Sequence, residues 1–164
     1  MMMRDRSTSV KGLSAAEVRD ENVDTLFMVW LTSRATTDLL NRALAGSVLD
    51  GDEFAIYSVL TATSSITPTE LARWMAAPTT TVSSYVKRFE ARGHVVREPN
   101  PDDRRSYRIT LTSAGRQAYR TAAAAFTPVR DRVAEALGAD VDDVREALLA
   151  VRTVVDELRH PGAQ

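Results

Sequence analysis

Between residues 66 and 115 the chain gathers side chains suited to one kind of chemistry, the binding of a polyanion. Thr79, Thr80, Thr81, Ser83 and Ser84 are short hydroxyls, and Lys87 and Arg88 follow one helical turn later. Hydroxyls reach base edges or phosphate oxygens in a groove, while cations neutralise the backbone around it. Farther on come Arg104, Arg105 and Arg108. An arginine at a hairpin tip suits the narrow minor groove, where negative potential is enhanced. Asp103 stands among them. Phosphate would repel its carboxylate, so its expected role is to shape the loop.

The elements that would carry these groups can be read from their start and stop signals. Thr67 and Glu70 form a capping box, Pro68 sits at the first helical position, and Ile66 and Leu71 are spaced as a hydrophobic staple. That helix should run to about Met75. Ala76 and Ala77 make a small-residue turn, and Pro78 opens a second helix over residues 79–92. Val82, Tyr85, Val86 and Phe89 recur there at helical spacing and form its inner face. The hydroxyls and cations fall on the other. An ordinary amphipathic helix with a solvated face would look the same, so the residues after it decide. Gly93 ends the helix as a C′ glycine. A strand is expected over residues 94–98, then a turn through Pro99, Asn100, Pro101 and Asp102. In a second strand Tyr107, Ile109 and Leu111 alternate inward. Thr112 then caps another helix. Helix, turn, helix and two-stranded wing is the layout of a duplex reader.

The stretch resembles the MarR (multiple antibiotic resistance regulator) family of winged-helix transcription factors. The family signature is Asp, one residue, Arg, five residues, Leu-Thr, two residues, Gly. It stands here as Asp103, Arg105, Leu111, Thr112 and Gly115 with the spacing intact. The upstream TELARWM and TVSSYVKRFEARGHV also fit. The motif covers about a third of the chain. Many relatives carry a basic residue where Ser84 stands, so base preference does not carry over. The resemblance implies a mainly α fold with a small β-wing. It further implies a homodimer on double-stranded DNA that represses a promoter until a small molecule, often a phenolic or other aromatic anion, releases it.

Charge distribution agrees with one DNA-facing surface. The whole chain of 164 residues carries a net charge of −1. Residues 66–116 hold nine Lys and Arg against five acids, a local net of +4, and the remainder is −5. A basic segment inside an acidic chain fits local steering by phosphate. There is no cysteine, which removes disulfides, thiolate nucleophiles and cysteine-based zinc sites, and with them the cysteine switch of the family's peroxide-sensing branch. His94 and His160 stand apart from any ligand-spaced cluster, so no metal and no cofactor are expected. With no glycine-rich phosphate loop and no catalytic constellation, an enzyme is not expected either. The rival binding class is a winged helix used for protein or structural contacts alone. Such a domain usually lacks cations on recognition helix and wing together. No apolar run approaches the roughly 20 residues of a membrane span, and residues 1–12 lack a signal-peptide core. A cytoplasmic location and no membrane partner are expected.

The flanks read as oligomerisation elements. Residues 1–12 are expected to be a disordered tail. Residues 13–47 form a long helix, opened by a second capping box at Ser14 and Glu17, that should end near Gly46. Its apolar stripe is too long for one small domain to cover. Residues 48–116 are the winged helix-turn-helix, opened by a third capping pattern at Asp50 and Glu53 over a helix at 51–63. Residues 117–160 are C-terminal dimerisation helices. Pro128 should kink or break the first of them, and Asp140 should cap the second. In that last helix Val141, Val144, Leu148, Val151, Val155 and Leu158 repeat in three-four alternation, a coiled-coil-like seam. The seam would pack across a dimer, onto the chain's own first helix, or both. Trp30, Arg34 and Tyr57 are the candidate ligand contacts. Arg34 on an apolar stripe could hold a carboxylate facing a crevice. The competing reading has the two rings in the core and Arg34 paired with an acid.

Overall fold

The computed structural model describes residues 24–159. The tail expected over residues 1–12 and the Ser14–Glu17 capping box lie outside the described residues. The chain divides into two units, one ending at Leu39 and the other running from Leu40. Six helices and a two-stranded sheet are described, with 73% of the described residues helical. The first unit contains most of α1 (Thr25–Ala43), in which no residue is buried. The helix stops three residues before Gly46, whose φ of 86° reverses the chain.

In the second unit local chemistry sets the helix starts. α2 spans Gly51–Thr63. Asp50 Oδ1 accepts the Glu53 amide at 2.8 Å, and the Glu53 carboxylate accepts the Asp50 amide at 3.4 Å. α3 spans Pro68–Trp74 and repeats the device with Thr67 and Glu70. These reciprocal bonds satisfy donors that a helix N-terminus leaves over. The Thr67 backbone and hydroxyl hydrogen bonds also hold the Glu70 carboxyl below its usual pKa. α4 spans Thr79–Ala91 and closes in a Schellman turn. Gly93, at φ 69°, donates to the Glu90 carbonyl at 2.8 Å, and the His94 amide donates to Phe89 at 2.9 Å.

The core gathers the inward faces of these helices and the wing. Ile56, Tyr57, Leu60, Leu71, Val82, Val86, Phe89 and Ile109 are all buried to 1% exposure or less. Each large apolar side chain so buried contributes roughly 1.5–3 kcal/mol. Tyr57 packs edge-on against Phe89 with ring centroids 4.8 Å apart. β1 (Val95–Pro99) and β2 (Tyr107–Leu111) pair antiparallel, Val95 opposite Leu111 and Pro99 opposite Tyr107. The strand thus starts one residue later than its sequence suggests and includes Pro99, tolerable at the end of an edge strand. Ile66 adds a short bridge to Ile109, through bonds of 2.8 and 3.2 Å.

In α5 (Ser113–Leu137) Pro128, where a kink or break is expected, does not break the helix. The carbonyl that Pro128 cannot serve belongs to Ala124. Both residues lie on the solvent side of the helix and are exposed, so water can take the missing bond. Asp140 does not cap the last helix. It ends a 3-10 turn, Gly138–Asp140, that leads directly into α6 (Val141–Arg159). No residue of α6 is buried, and Leu148 and Leu158 of the seam are 49% and 74% exposed. Among the described residues no helix is long and apolar enough to cross a membrane, and no group of three His, Asp or Glu is placed to hold a metal.

Candidate nucleic-acid interface

α4 presents a polar row. Thr79, Thr80, Thr81, Ser84, Lys87 and Arg88 are exposed, and Ser83 is half-buried. Pro78 precedes the helix and no side chain caps it. The positive end of the helix dipole therefore stands beside the three threonines, a favourable place for a phosphate. Ser84 Oγ donates to the Thr80 carbonyl at 3.1 Å, so in this rotamer only its lone pairs serve an outside partner. Lys87 has no side-chain partner among the described residues.

The cations of this helix are not equivalent. Arg88 Nη2 lies 3.0 Å from Glu53 Oε1, and Arg92 Nη1 donates to Glu53 Oε2 at 2.9 Å. Glu53 is 2% exposed, a buried carboxylate of α2 gripping two arginines at the α4 end of the pair. That hydrogen bond raises the Arg92 pKa against the opposing effect of its burial. Arg88 also lies over the Tyr85 ring at 4.8 Å, and the Tyr85 hydroxyl donates to Asp52 at 3.2 Å. Burial, and then the charge of Asp52, push the Tyr85 pKa up. Arg88 is thus committed to holding α4 on α2 as well as being exposed. The capping pattern explained Glu53 at the level of sequence and concealed this second role.

The wing separates shaping from contact. Asp103 Oδ1 accepts the Arg105 amide at 2.9 Å, and the Asp103 carbonyl accepts the Ser106 amide at 3.0 Å. Buried Asn100 donates to Ser106 Oγ at 2.6 Å and accepts the Asp102 amide at 3.3 Å. The turn is therefore closed by its own polar groups. Arg108 Nε donates to Ser65 at 3.0 Å, and its Nη1 lies 3.5 Å from Asp102, which holds this arginine at the wing base. Arg104 and Arg105 are exposed and have no side-chain partner among the described residues.

Taken one by one, four of the five signature residues shape the fold. Asp103 closes the turn and Leu111 is core. Thr112 caps α5 by accepting the Gly115 amide at 3.1 Å, and its hydroxyl donates to Gly93 at 2.7 Å. Gly115 lies so close to the wing that a Cβ there would meet the His94 carbonyl oxygen at 2.1 Å. Only the Arg105 side chain is left over for an outside partner.

Of the candidate ligand contacts, Trp30 and Arg34 lie on α1. Trp30 is 55% exposed, stacked on Phe27, with the Arg34 guanidinium 5.8 Å from its ring centroid. Tyr57, in the second unit, is fully buried, and its hydroxyl is 2.8 Å from His94 Nδ1. Burial pushes its pKa up to about 12. It serves the core and the wing base.

An α2–α3–α4 core with a β1–β2 wing defines a winged helix-turn-helix protein. Residues 54–106 match the MarR family model. That match spans about a third of the chain and covers most of the winged helix. Solved structures agree over most of the length. The M. tuberculosis transcriptional regulator MOSR, in complex with DNA, is 24% identical with a TM-score of 0.69, over 83% of this chain and 98% of that one. The transcriptional repressor CouR, bound to a 23-mer DNA duplex, is 25% identical with a TM-score of 0.65, over 80% and 92%. NadR in complex with 4-hydroxyphenylacetate is 20% identical with a TM-score of 0.68, over 87% and 97%. A search of curated proteins finds no match.

Proposed function

We propose that the chain is a homodimeric, sequence-specific DNA-binding transcriptional regulator that represses a promoter until a small aromatic effector releases it. The observation that carries this is the pairing of an exposed hydroxyl and lysine row on α4 with two exposed arginines at the wing tip, Arg104 and Arg105, that have no side-chain partner among the described residues. Thr79, Thr80, Thr81, Ser84 and Lys87 would enter a major groove, with half-buried Ser83 beside them, and Arg104 and Arg105 the adjoining minor groove. Arg88 and Arg108 would contribute positive potential from their tethered positions, and Asp103 would keep the wing in shape. The DNA complexes of MOSR and CouR support this assignment.

Residues 48–116 would read DNA, and residues 13–47 and 117–160 would form the dimer. The uncovered seam of α6 supports the second part, because large exposed apolar faces mark interaction surfaces. Two copies would then face half-sites one helical turn apart. For the effector we assign Trp30 and Arg34, an exposed ring beside a cation, and leave Tyr57 to the core. Release would be a population shift toward a state with misplaced recognition helices.

Fluorescence anisotropy on duplex from the chain's own promoter, against an unrelated duplex, tests the proposal at two salt concentrations. Tight, selective binding that weakens steeply with salt is expected. Equal, weak binding to both duplexes would favour a winged helix that contacts protein. Adding 4-hydroxyphenylacetate tests the effector class, with weaker DNA binding expected.

A further inference from the structure

The turn between α3 and α4 leaves the carbonyls of Trp74 and Ala76 without a main-chain partner among the described residues. Met75, Ala76 and Ala77 donate back to Leu71, Arg73 and Ala72 at 2.9, 3.2 and 3.0 Å. The amide that would serve the Trp74 carbonyl is at position 78, which is proline. Ala76 adopts φ 51°, a left-handed conformation that costs a residue with a Cβ about 1–2 kcal/mol. Trp74 and Ala76 are exposed, so water can reach these carbonyls, but a strained left-handed residue keeps its conformation through support from the surrounding structure.

That support comes from the far end of the chain. Arg152 Nη2 donates to the Trp74 carbonyl at 2.8 Å, and Arg159 Nη2 donates to the Ala76 carbonyl at 3.1 Å. The Arg152 guanidinium also lies over the Trp74 ring, 5.0 Å from its centroid. Asp156 stands between the two arginines on α6, 3.4 Å from Arg152 and 3.7 Å from Arg159. Cations at a helix C-terminus also meet the negative end of its dipole. Arginine suits the task because one planar group stacks on the indole and donates at its edge.

We propose that Arg152, Asp156 and Arg159 are positioning residues that hold the helix-turn-helix turn, and so set the attitude of α4. The inference rests on the DNA-reading function proposed above and adds its regulation. The same α6 carries the apolar seam, whose Val151, Val155 and Leu158 alternate with the three polar residues. A change in how the seam is covered is therefore passed by one rigid helix to the turn that precedes the recognition helix.

The test uses the full-length Arg152→Ala/Arg159→Ala variant and the gentler Asp156→Asn, with sedimentation and circular dichroism confirming an unchanged assembly and fold. Two quantities are read: amide hydrogen exchange across residues 75–82, and duplex affinity over a salt series. The expected result is turn exchange faster by about tenfold, affinity lower by about tenfold, and an unchanged salt slope, because positioning residues touch no phosphate. Asp156→Asn should move both quantities the same way by less. Wild-type exchange in the turn, or wild-type affinity despite faster exchange, would overturn the proposal. So would a slope reduced by about 0.9 for each phosphate no longer neutralised, which would make these arginines direct DNA ligands. If the wild-type chain binds no duplex, the DNA-reading proposal fails, and the exchange measurement alone decides whether the latch holds the turn.

Discussion

Two arginine pairs, one at the end of α4 and one at the wing tip, are given opposite jobs by their surroundings. Arg88 and Arg92 converge on the buried carboxylate of Glu53, while Arg104 and Arg105 meet no side chain among the described residues. All four lie in the same basic stretch and count equally toward its charge. What separates them is a carboxylate 2% exposed, positioned by the helix cap it also completes. A buried anion must be paired, so it takes the arginines within reach. A basic patch therefore divides into charges that build the surface and charges left for a ligand.

The sharpest way to break the comparison is to remove the carboxylate. Glu53→Ala loses half of the α2 capping box and frees two half-exposed arginines. Urea unfolding should show a loss of about 2–3 kcal/mol, with the cap contributing about 1. A change under about 0.5 kcal/mol would mean that the pair holds nothing. Gly115→Ala should be of similar size, about 2 kcal/mol or more, because the new methyl must displace the His94 carbonyl and with it the wing base. Arg104→Ala/Arg105→Ala is the opposite case. Its stability should stay within about 0.5 kcal/mol of wild type. Its duplex affinity should fall about tenfold or more across sequences.

The smallest effect concerns the link from core to wing. Because the Tyr57 phenol is raised to about 12, its contribution is complete below the ordinary tyrosine pKa. It is then lost as pH rises from about 10 toward 12. Absorbance titration of the phenolate should show a late step that Tyr57→Phe removes. That variant should lose about 1 kcal/mol at neutral pH through the missing His94 bond. A Tyr57 that titrates with the exposed phenols would contradict its burial.

What was legible in the sequence was local. The capping pairs at Asp50–Glu53 and Thr67–Glu70, the C′ glycine at 93, the alternation of Tyr107, Ile109 and Leu111 and the bounds of α2 all follow from neighbours a few residues apart. What stayed hidden joined distant segments. Glu53 meets Arg92 across 39 positions, and Arg152 meets Trp74 across 78. Neither spacing has a periodicity to detect. Glu53 was doubly concealed, since the cap already accounted for an acid there. Pro128 misled for a different reason: one lost bond on a solvent-facing side is too little to end a helix of 25 residues.

The most direct test of this division of labour compares salt slopes. Duplex affinity would be measured from low to physiological salt for wild type, Arg104→Ala/Arg105→Ala and Arg88→Ala. The wing variant is expected to lose about 0.9 from the slope for each phosphate it no longer neutralises, while Arg88→Ala weakens binding with the slope intact. An Arg88→Ala slope reduced as much as that of the wing variant, or a wing variant indistinguishable from wild type, would contradict the opposite roles assigned to the two pairs.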